Sequence, residues 1–198
     1  MDPNVTRGYG FLEKILAGKR AKIADALIEP DYRAGRILDI GCGSHPFFLC
    51  NTRFAEKYGI DGAASGSQHG QGIILSRHDV TSKEKLPFKD CFFDVITMLA
   101  VFEHLETADL LFIIREIHRL LKPGGVYILT TPAPWADFVL RVFAKIRLVS
   151  PVEIAEHKAA YSQRKIKEIL HASNFSKDGV TAGYFEFYMN NWVKAKKL

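Results

Sequence analysis

The feature that most limits how this chain can fold is a series of short apolar runs separated by segments of helical periodicity. The first run, Arg36-Ile37-Leu38-Asp39-Ile40, breaks at Gly41-Cys42-Gly43 and reads as a buried strand feeding a glycine turn. Tyr58-Gly59-Ile60-Asp61 makes a second strand with an acid at its end, and Ile73-Ile74-Leu75 opens a third, followed by His78-Asp79-Val80. Phe93 to Leu99 and Val126 to Thr131 supply the fourth and fifth. Apolar residues at helical spacing cover Phe11 to Ile28, stopped by Pro30 and Asp31, and a further helix fits Phe47 to Tyr58. After the fourth strand, Leu110, Ile113, Ile114, Ile117, Leu120 and Leu121 share one helical face, which Lys122-Pro123-Gly124-Gly125 closes with a tight turn. Gly62 to Gly72 is rich in Gly, Ser and Gln and predicts a loop. This alternation builds βαβ units, hence a mainly parallel sheet with right-handed crossovers and helices on both faces, a doubly wound α/β fold.

The tail breaks the rhythm. Ser162 to His171 is helical, and Gly179 to Phe185 and Tyr188 to Lys196 form neighbouring strands on a short connection, which puts at least one antiparallel strand at the sheet edge. A chain of 198 residues suits one domain, with residues 1–34 as a helical segment packed on a body of residues 35–198. No segment approaches the roughly 20 apolar residues that span a bilayer. The stretch Met1 to Tyr9, with Asp2 and Pro3, is too polar for a signal peptide, and Cys42, Cys50 and Cys91 lack both CxxC spacing and a paired framework. A cytoplasmic protein is expected. The net charge of +5 gathers in the last third, at Arg141, Lys145, Arg147, Lys158, Arg164, Lys165, Lys167, Lys194, Lys196 and Lys197. An anionic substrate, a membrane surface or nucleic acid would fit such a distribution, and so would an ordinary solvated face.

Open α/β sheets bind ligands at the carboxyl ends of their strands. The glycines of Asp39-Ile40-Gly41-Cys42-Gly43-Ser44-His45-Pro46 let backbone pass close to a ligand there. A dinucleotide fingerprint, GxGxxG, would need glycine where Pro46 stands, which argues against a nicotinamide or flavin enzyme. Asp61 lies about 20 residues past the turn, where an acid can accept hydrogen bonds from both ribose hydroxyls. Asp79 at the third strand end can accept from an exocyclic adenine amine. Each acid alone is equally at home as a cap or turn residue. Their coincidence with the glycine turn carries the argument.

Taken together and in order, ILDIGCG (Ile37 to Gly43), GID (Gly59 to Asp61), HDV (His78 to Val80), LPFKDCFFDVITMLAVFEHL (Leu86 to Leu105) and LKPGGVYILTTP (Leu121 to Pro132) resemble the motifs of class I S-adenosylmethionine-dependent methyltransferases, closest to the type 11 small-molecule group. The resemblance runs from about Gly35 to Pro132. It implies a seven-stranded, mainly parallel, Rossmann-like sheet with a reversed C-terminal strand, and S-adenosylmethionine as cofactor with S-adenosylhomocysteine as product. By position, Asp39 and Gly41, Cys42 and Gly43 would line the methionine part. Asp61, with Gly62 beside it, would hold the ribose. Asp79 and the Val80 backbone would read adenine, and Leu99 would offer its backbone near the cofactor's amino group. Cys42 has no base partner and reads as a small apolar filler.

Methyl transfer from a sulfonium needs an in-line nucleophile, and a hydroxyl acceptor gains from a base. His104, beside Glu103 just past the fourth strand, is the candidate base, since a neutral imidazole can take a proton. A Glu-His pair that only fixes the start of the next helix is the plain alternative. Some quinone-pathway relatives carry Glu-x-x-Glu-His here and bind a divalent metal. Ala100 replaces the first acid in this chain, leaving too few hard oxygen ligands, so no metal is expected. In similar methyltransferases the connection holding His157 and Tyr161 approaches the substrate mouth, which makes both candidate substrate contacts. Trp135 to Val149 reads as a basic amphipathic helix, with an apolar stripe of Phe138, Val139, Val142, Phe143 and Ile146 beside Arg141 and Lys145. It would cover a pocket, rest on a membrane surface or pack like any other helix.

The reading is a methyltransferase acting on a small molecule, hydrophobic or lipid-linked, with oxygen preferred over carbon or nitrogen as acceptor atom. Its rivals are a cofactor-binding regulator that has lost catalysis and a nucleic-acid methyltransferase. Leu99-Ala100-Val101-Phe102 does not resemble the Asp/Asn-Pro-Pro-aromatic motif of the latter, so no nucleic-acid partner is expected.

Overall fold

The structure, a computed structural model, describes residues 11–64, 68–70, 72–136 and 160–198. Helix α1 (Phe11–Ala26) turns Ala17, Ala21 and Ala24 inward at helical spacing, and small side chains let it lie close to the sheet. The strands are β1 (Arg36–Ile40), β2 (Glu56–Asp61), β3 (Gln68–His69), β4 (Ile73–Arg77), β5 (Phe93–Leu99), β6 (Leu121–Pro132), β7 (Val180–Phe185) and β8 (Asn190–Lys196). Between them lie α2 (Phe47–Asn51), α3 (Thr107–Leu120) and α4 (Gln163–His171). Their order across the sheet is β3-β4-β2-β1-β5-β6-β8-β7. Strands β4, β2, β1, β5 and β6 run parallel, and β8 is antiparallel to both β6 and β7. The expected seven-stranded arrangement with one reversed strand is therefore present, and β3 adds a two-residue antiparallel fringe to β4.

Each face of the sheet carries its own core. Leu38, Ile40, Ile96, Met98, Tyr127 and Leu129 pack against α3 and α4 on one side. Ile37, Val95, Val126 and Ile128 pack against α1 and α2 on the other. The chain leaves β1 for β2 and β4 in one direction, then returns to β5 and β6 in the other. The strand order thus reverses between β1 and β5, and the crevice at their carboxyl ends is where such sheets take ligands.

Three local expectations change. The helix expected over Phe47 to Tyr58 stops at Asn51, and the chain is extended at Thr52. Arg33 donates to both Asp25 and Thr52, and Thr52 donates to Asp25, so this corner is pinned. Glu56 must already pair with Arg36 if β2 is to run the length of β1. Sheet register overrides helix propensity here. The Lys122–Gly125 stretch is no simple turn, because β6 begins at Leu121 and absorbs it as an irregularity between the Phe93–Leu121 and Val95–Val126 pairs. Gly124, at φ 79°, accepts from the Tyr32 hydroxyl and donates to the Lys197 carbonyl, so the bulge is held from two sides. The loop expected over Gly62 to Gly72 contains β3.

Much of the basic tail is committed to the fold. The Lys194 ammonium donates to the Leu27 carbonyl and to Glu29, and Lys197 donates to the His118 and Leu121 carbonyls at 2.8 Å each. Arg164 pairs with Glu168. Arg141, Lys145, Arg147, Lys158, His157 and nearly all of the helix expected from Trp135 to Val149 lie outside the described residues.

Candidate functional site

The crevice is built first by the turn after β1. Gly41 (φ 76°) and Gly43 (φ 73°) take left-handed backbone that an L side chain resists, and their amides are anchored. Gly41 and Cys42 donate to the Ile60 carbonyl, and Gly43 donates to Asp61 Oδ2 at 3.0 Å. A Cβ on Gly41 would stand 2.2 Å from Val101 Cγ2, so the turn touches the segment leaving β5. Cys42 is buried below the turn, and desolvation pushes its thiol far up, as befits a filler.

Asp61, at the end of β2, is buried and accepts from Gly43 and, through Oδ1, from the Ala63 amide at 2.7 Å. Gly62 is exposed, with nothing within 4 Å of where a side chain would begin. The His78 amide donates to the Asp61 carbonyl, which ties the segment after β4 to the end of β2. Asp79, one residue on, is exposed and accepts at Oδ1 from the Thr81 amide and hydroxyl. These bonds, the amide's foremost, hold its carboxyl below the ordinary range. Val80 is half-buried against the α3-side core, and Leu99 against the α1-side core.

Asp39 is buried in the middle of the sheet's ligand end, where its Oδ1 accepts from the Thr97 hydroxyl at 2.7 Å. Burial drives its pKa up to about 7, the charge of Asp61 adds to the rise, and the Thr97 hydrogen bond opposes it. Asp39, Asp61 and the glycine turn therefore converge on one crevice.

On the β5–β6 side, Ala100 takes a left-handed conformation (φ 56°) and its amide donates to the Thr130 carbonyl. A 3-10 turn (Phe102–His104) follows, closed by the His104 amide on the Val101 carbonyl. His104 is half-buried at its end. The neighbouring Glu103, which the sequence offers only as the partner of His104 or a remnant of a three-ligand metal set, is the buried residue of the pair, and its Oε2 accepts from the Thr131 hydroxyl at 3.0 Å. Among the described residues, no group of three His, Cys, Asp or Glu comes together as a metal site. Tyr161 is buried, edge-on to Phe102 at 4.9 Å between ring centres, and its hydroxyl donates to the Leu105 carbonyl at 2.9 Å. The hydroxyl that would meet a substrate is committed to holding the 3-10 turn.

A methyltransferase-domain model matches residues 11–178, most of the chain. The chain belongs to this methyltransferase family. Relatives of this methyltransferase domain include the ubiquinone biosynthesis O-methyltransferase of Pseudomonas aeruginosa, 34% identical over 112 residues, covering 51% of this chain and 47% of that protein. The demethylmenaquinone methyltransferase of Staphylococcus aureus is 25% identical over 166 residues, covering 72% and 68%. The chain spans about half the length of the Pseudomonas relative. Among solved structures, a SAM-dependent methyltransferase of Thermotoga maritima superposes with a TM-score of 0.70 at 16% identity, covering 93% of this chain and 90% of that one, which supports the fold.

Proposed function

We propose that this domain transfers a methyl group from S-adenosylmethionine to a small hydrophobic or lipid-linked acceptor, at oxygen in preference to carbon or nitrogen. One observation carries the reading. A buried carboxylate, Asp39, stands near its titration point beside a second buried acid and a left-handed glycine cradle. Such a pocket lacks the positive partner that a ligand bearing an ammonium and a sulfonium would bring. The residues present fit that ligand. Asp39 and the Gly41-Cys42-Gly43 backbone would take its methionine end, with the Leu99 carbonyl nearby. Asp61 beside Gly62 would accept from the ribose hydroxyls, and Asp79 and Val80 would flank the adenine.

The cofactor supplies an already activated methyl group, so the chain's task is to bind, orient and exclude water. Orientation alone can contribute roughly 7–11 kcal/mol. His104 would receive the proton of a hydroxyl acceptor, while Tyr161 acts through packing and His157 remains a substrate-contact candidate. The hydrophobic acceptor is supported by relatives named for ubiquinone biosynthesis and for demethylmenaquinone. Cys42, Cys50 and Cys91 are all free, which suits a cytoplasmic setting. No helix among the described residues is long and apolar enough to cross a membrane.

Calorimetric titration with S-adenosylmethionine and S-adenosylhomocysteine tests the site. Wild-type protein is expected to bind both near micromolar or tighter, and Asp61→Ala, checked for folding by circular dichroism, at least tenfold more weakly. Folded wild-type protein that binds neither would overturn the proposal.

A further inference from the structure

Glu103 poses a problem that the fold alone does not solve. The backbone from Leu99 to His104 bridges the crevice. Its Val101 end lies against Gly41, and its Glu103 end reaches Thr131 at the tip of β6. Within that bridge Glu103 is 3% exposed. Its one hydrogen-bond partner among the described residues is the neutral Thr131 hydroxyl, on Oε2. A buried carboxylate with one neutral donor is unfavourable, and a structural clasp to Thr131 would be served equally well by an uncharged side chain.

A second buried acceptor lies one strand away. Thr131 is the register partner of Asn191 on β8. Asn191 is fully buried and donates through Nδ2 to the Tyr161 and Pro132 carbonyls, while its Oδ1 has no partner. Tyr161 in turn holds the Leu105 carbonyl at the end of the 3-10 turn. Among the described residues, donors run short at this corner and acceptors are in excess, and a hydrogen-bond donor on a bound ligand would complement them. The corner lies on the β5–β6 side of the glycine turn, away from Asp61 and Asp79. That is the side left for the methyl acceptor once the cofactor's ribose and adenine are assigned to the acids at the ends of β2 and β4.

We propose that Glu103 is the acceptor-recognition group of the site, its carboxylate taking a hydrogen bond from an O–H or N–H donor on the methyl acceptor beside the point of transfer. Thr131 fixes the orientation of the carboxylate, and Asn191 and Tyr161 hold the wall behind it. The inference rests on the methyltransferase reading and narrows it. The acceptor carries a donor group, free or cationic, and is not a purely apolar molecule methylated at an isolated carbon.

The probe is sinefungin, the S-adenosylhomocysteine analogue in which an amine-bearing carbon replaces sulfur, so that a cationic donor projects where the methyl group would leave. Calorimetry on the full chain compares it with S-adenosylhomocysteine. Wild-type protein is expected to bind sinefungin about tenfold more tightly, the return for one charge-assisted hydrogen bond. Glu103→Gln keeps the shape and is expected to bind S-adenosylhomocysteine within about twofold of wild type while losing the preference. Thr131→Val, which frees the carboxylate without removing it, is expected to lose about threefold of the preference, and it serves alone if the Gln variant does not fold. A preference left unchanged by the variants that fold, or no preference in the wild type, overturns this inference while leaving the cofactor site intact. Failure of the wild type to bind S-adenosylhomocysteine at all overturns both.

Discussion

Asp39 couples this site to pH. Its folded pKa, raised to about 7 by burial and by Asp61, lies above the ordinary carboxyl value of about 3.9. Below pH 4 the carboxyl is protonated in folded and unfolded chains alike, and its burial costs little. Between pH 4 and 7 the unfolded chain releases the proton and the folded one retains it, so stability falls as pH rises and levels off above 7. Asp39→Asn keeps an oxygen for the Thr97 hydroxyl and removes the titration. The variant is expected to match wild type near pH 4 and to exceed it at pH 8 by up to about 4 kcal/mol in urea unfolding. A stability difference equal at both pH values would contradict this assignment. Asp39, Asp61 and the glycines were readable in the sequence because each stands at a strand end in a fixed local pattern. The Glu103–Thr131 pair was not, since its partners lie 28 residues apart and meet only when β5 and β6 pair. Nor was the burial of Tyr161, because a tyrosine in a connection reads alike whether its hydroxyl faces solvent or a carbonyl.

Elements read well where periodicity alone decides them and less well where a neighbour imposes the boundary. β5 was legible to the residue, α1 and α3 nearly so, while α2 was cut short by the Arg33–Asp25–Thr52 corner. The turn between β7 and β8 was legible as a connection but not in its conformation. Glu186, Phe187 and Tyr188 carry φ values of 52°, 54° and 66° in succession, with no glycine or asparagine to announce it. The register forces this, because Phe185 opposes Asn190 and only four residues close the hairpin. Side-chain bonds hold it. Asn190 donates to Glu186, Lys19 pairs with Glu186, and the Trp135 indole donates to the Tyr188 carbonyl. Phe187, 91% exposed, contributes strain without packing. Relief of its left-handed conformation gives about 1–2 kcal/mol, and the extra freedom of glycine in the unfolded chain returns about 0.5–1 kcal/mol. Phe187→Gly is therefore expected to raise stability by about 0.5 kcal/mol. Thermal unfolding measures it, and a lower melting temperature would mean that the ring packs on something in solution.

At the scale of the whole molecule, the order of motifs along the chain predicted the seven longer strands and that one is reversed, but neither the short β3 nor how firmly the reversed strand is held. β8 comes late in the chain yet lies inside the sheet, antiparallel to β6 over Val126 to Pro132 and to β7 over Val180 to Phe185. In an antiparallel strand flanked on both sides, amides point alternately to the two neighbours, so each finds a carbonyl. Val193 and Ala195 enter the α3-side core, and Lys194 crosses to Leu27 and Glu29 beyond α1, joining segments 165 or more residues apart. Pulling β8 away would uncover the edge of β6, whose residues from Val126 to Pro132 are all buried. Its opening therefore costs about as much as unfolding the domain. Late segments ordinarily fray, so this position makes a sharp prediction for amide hydrogen exchange. The amides of Trp192 to Ala195 are expected to exchange with the same free energy as those of Ile37 to Asp39 in β1, both through global unfolding. Outward-facing amides of the edge strand β7 are expected to exchange sooner. Exchange of β8 at the rate of an open loop would mean that the reversed strand docks late and weakly. The polar corner that Thr131, Asn191 and Tyr161 build around Glu103 would then be assembled only part of the time.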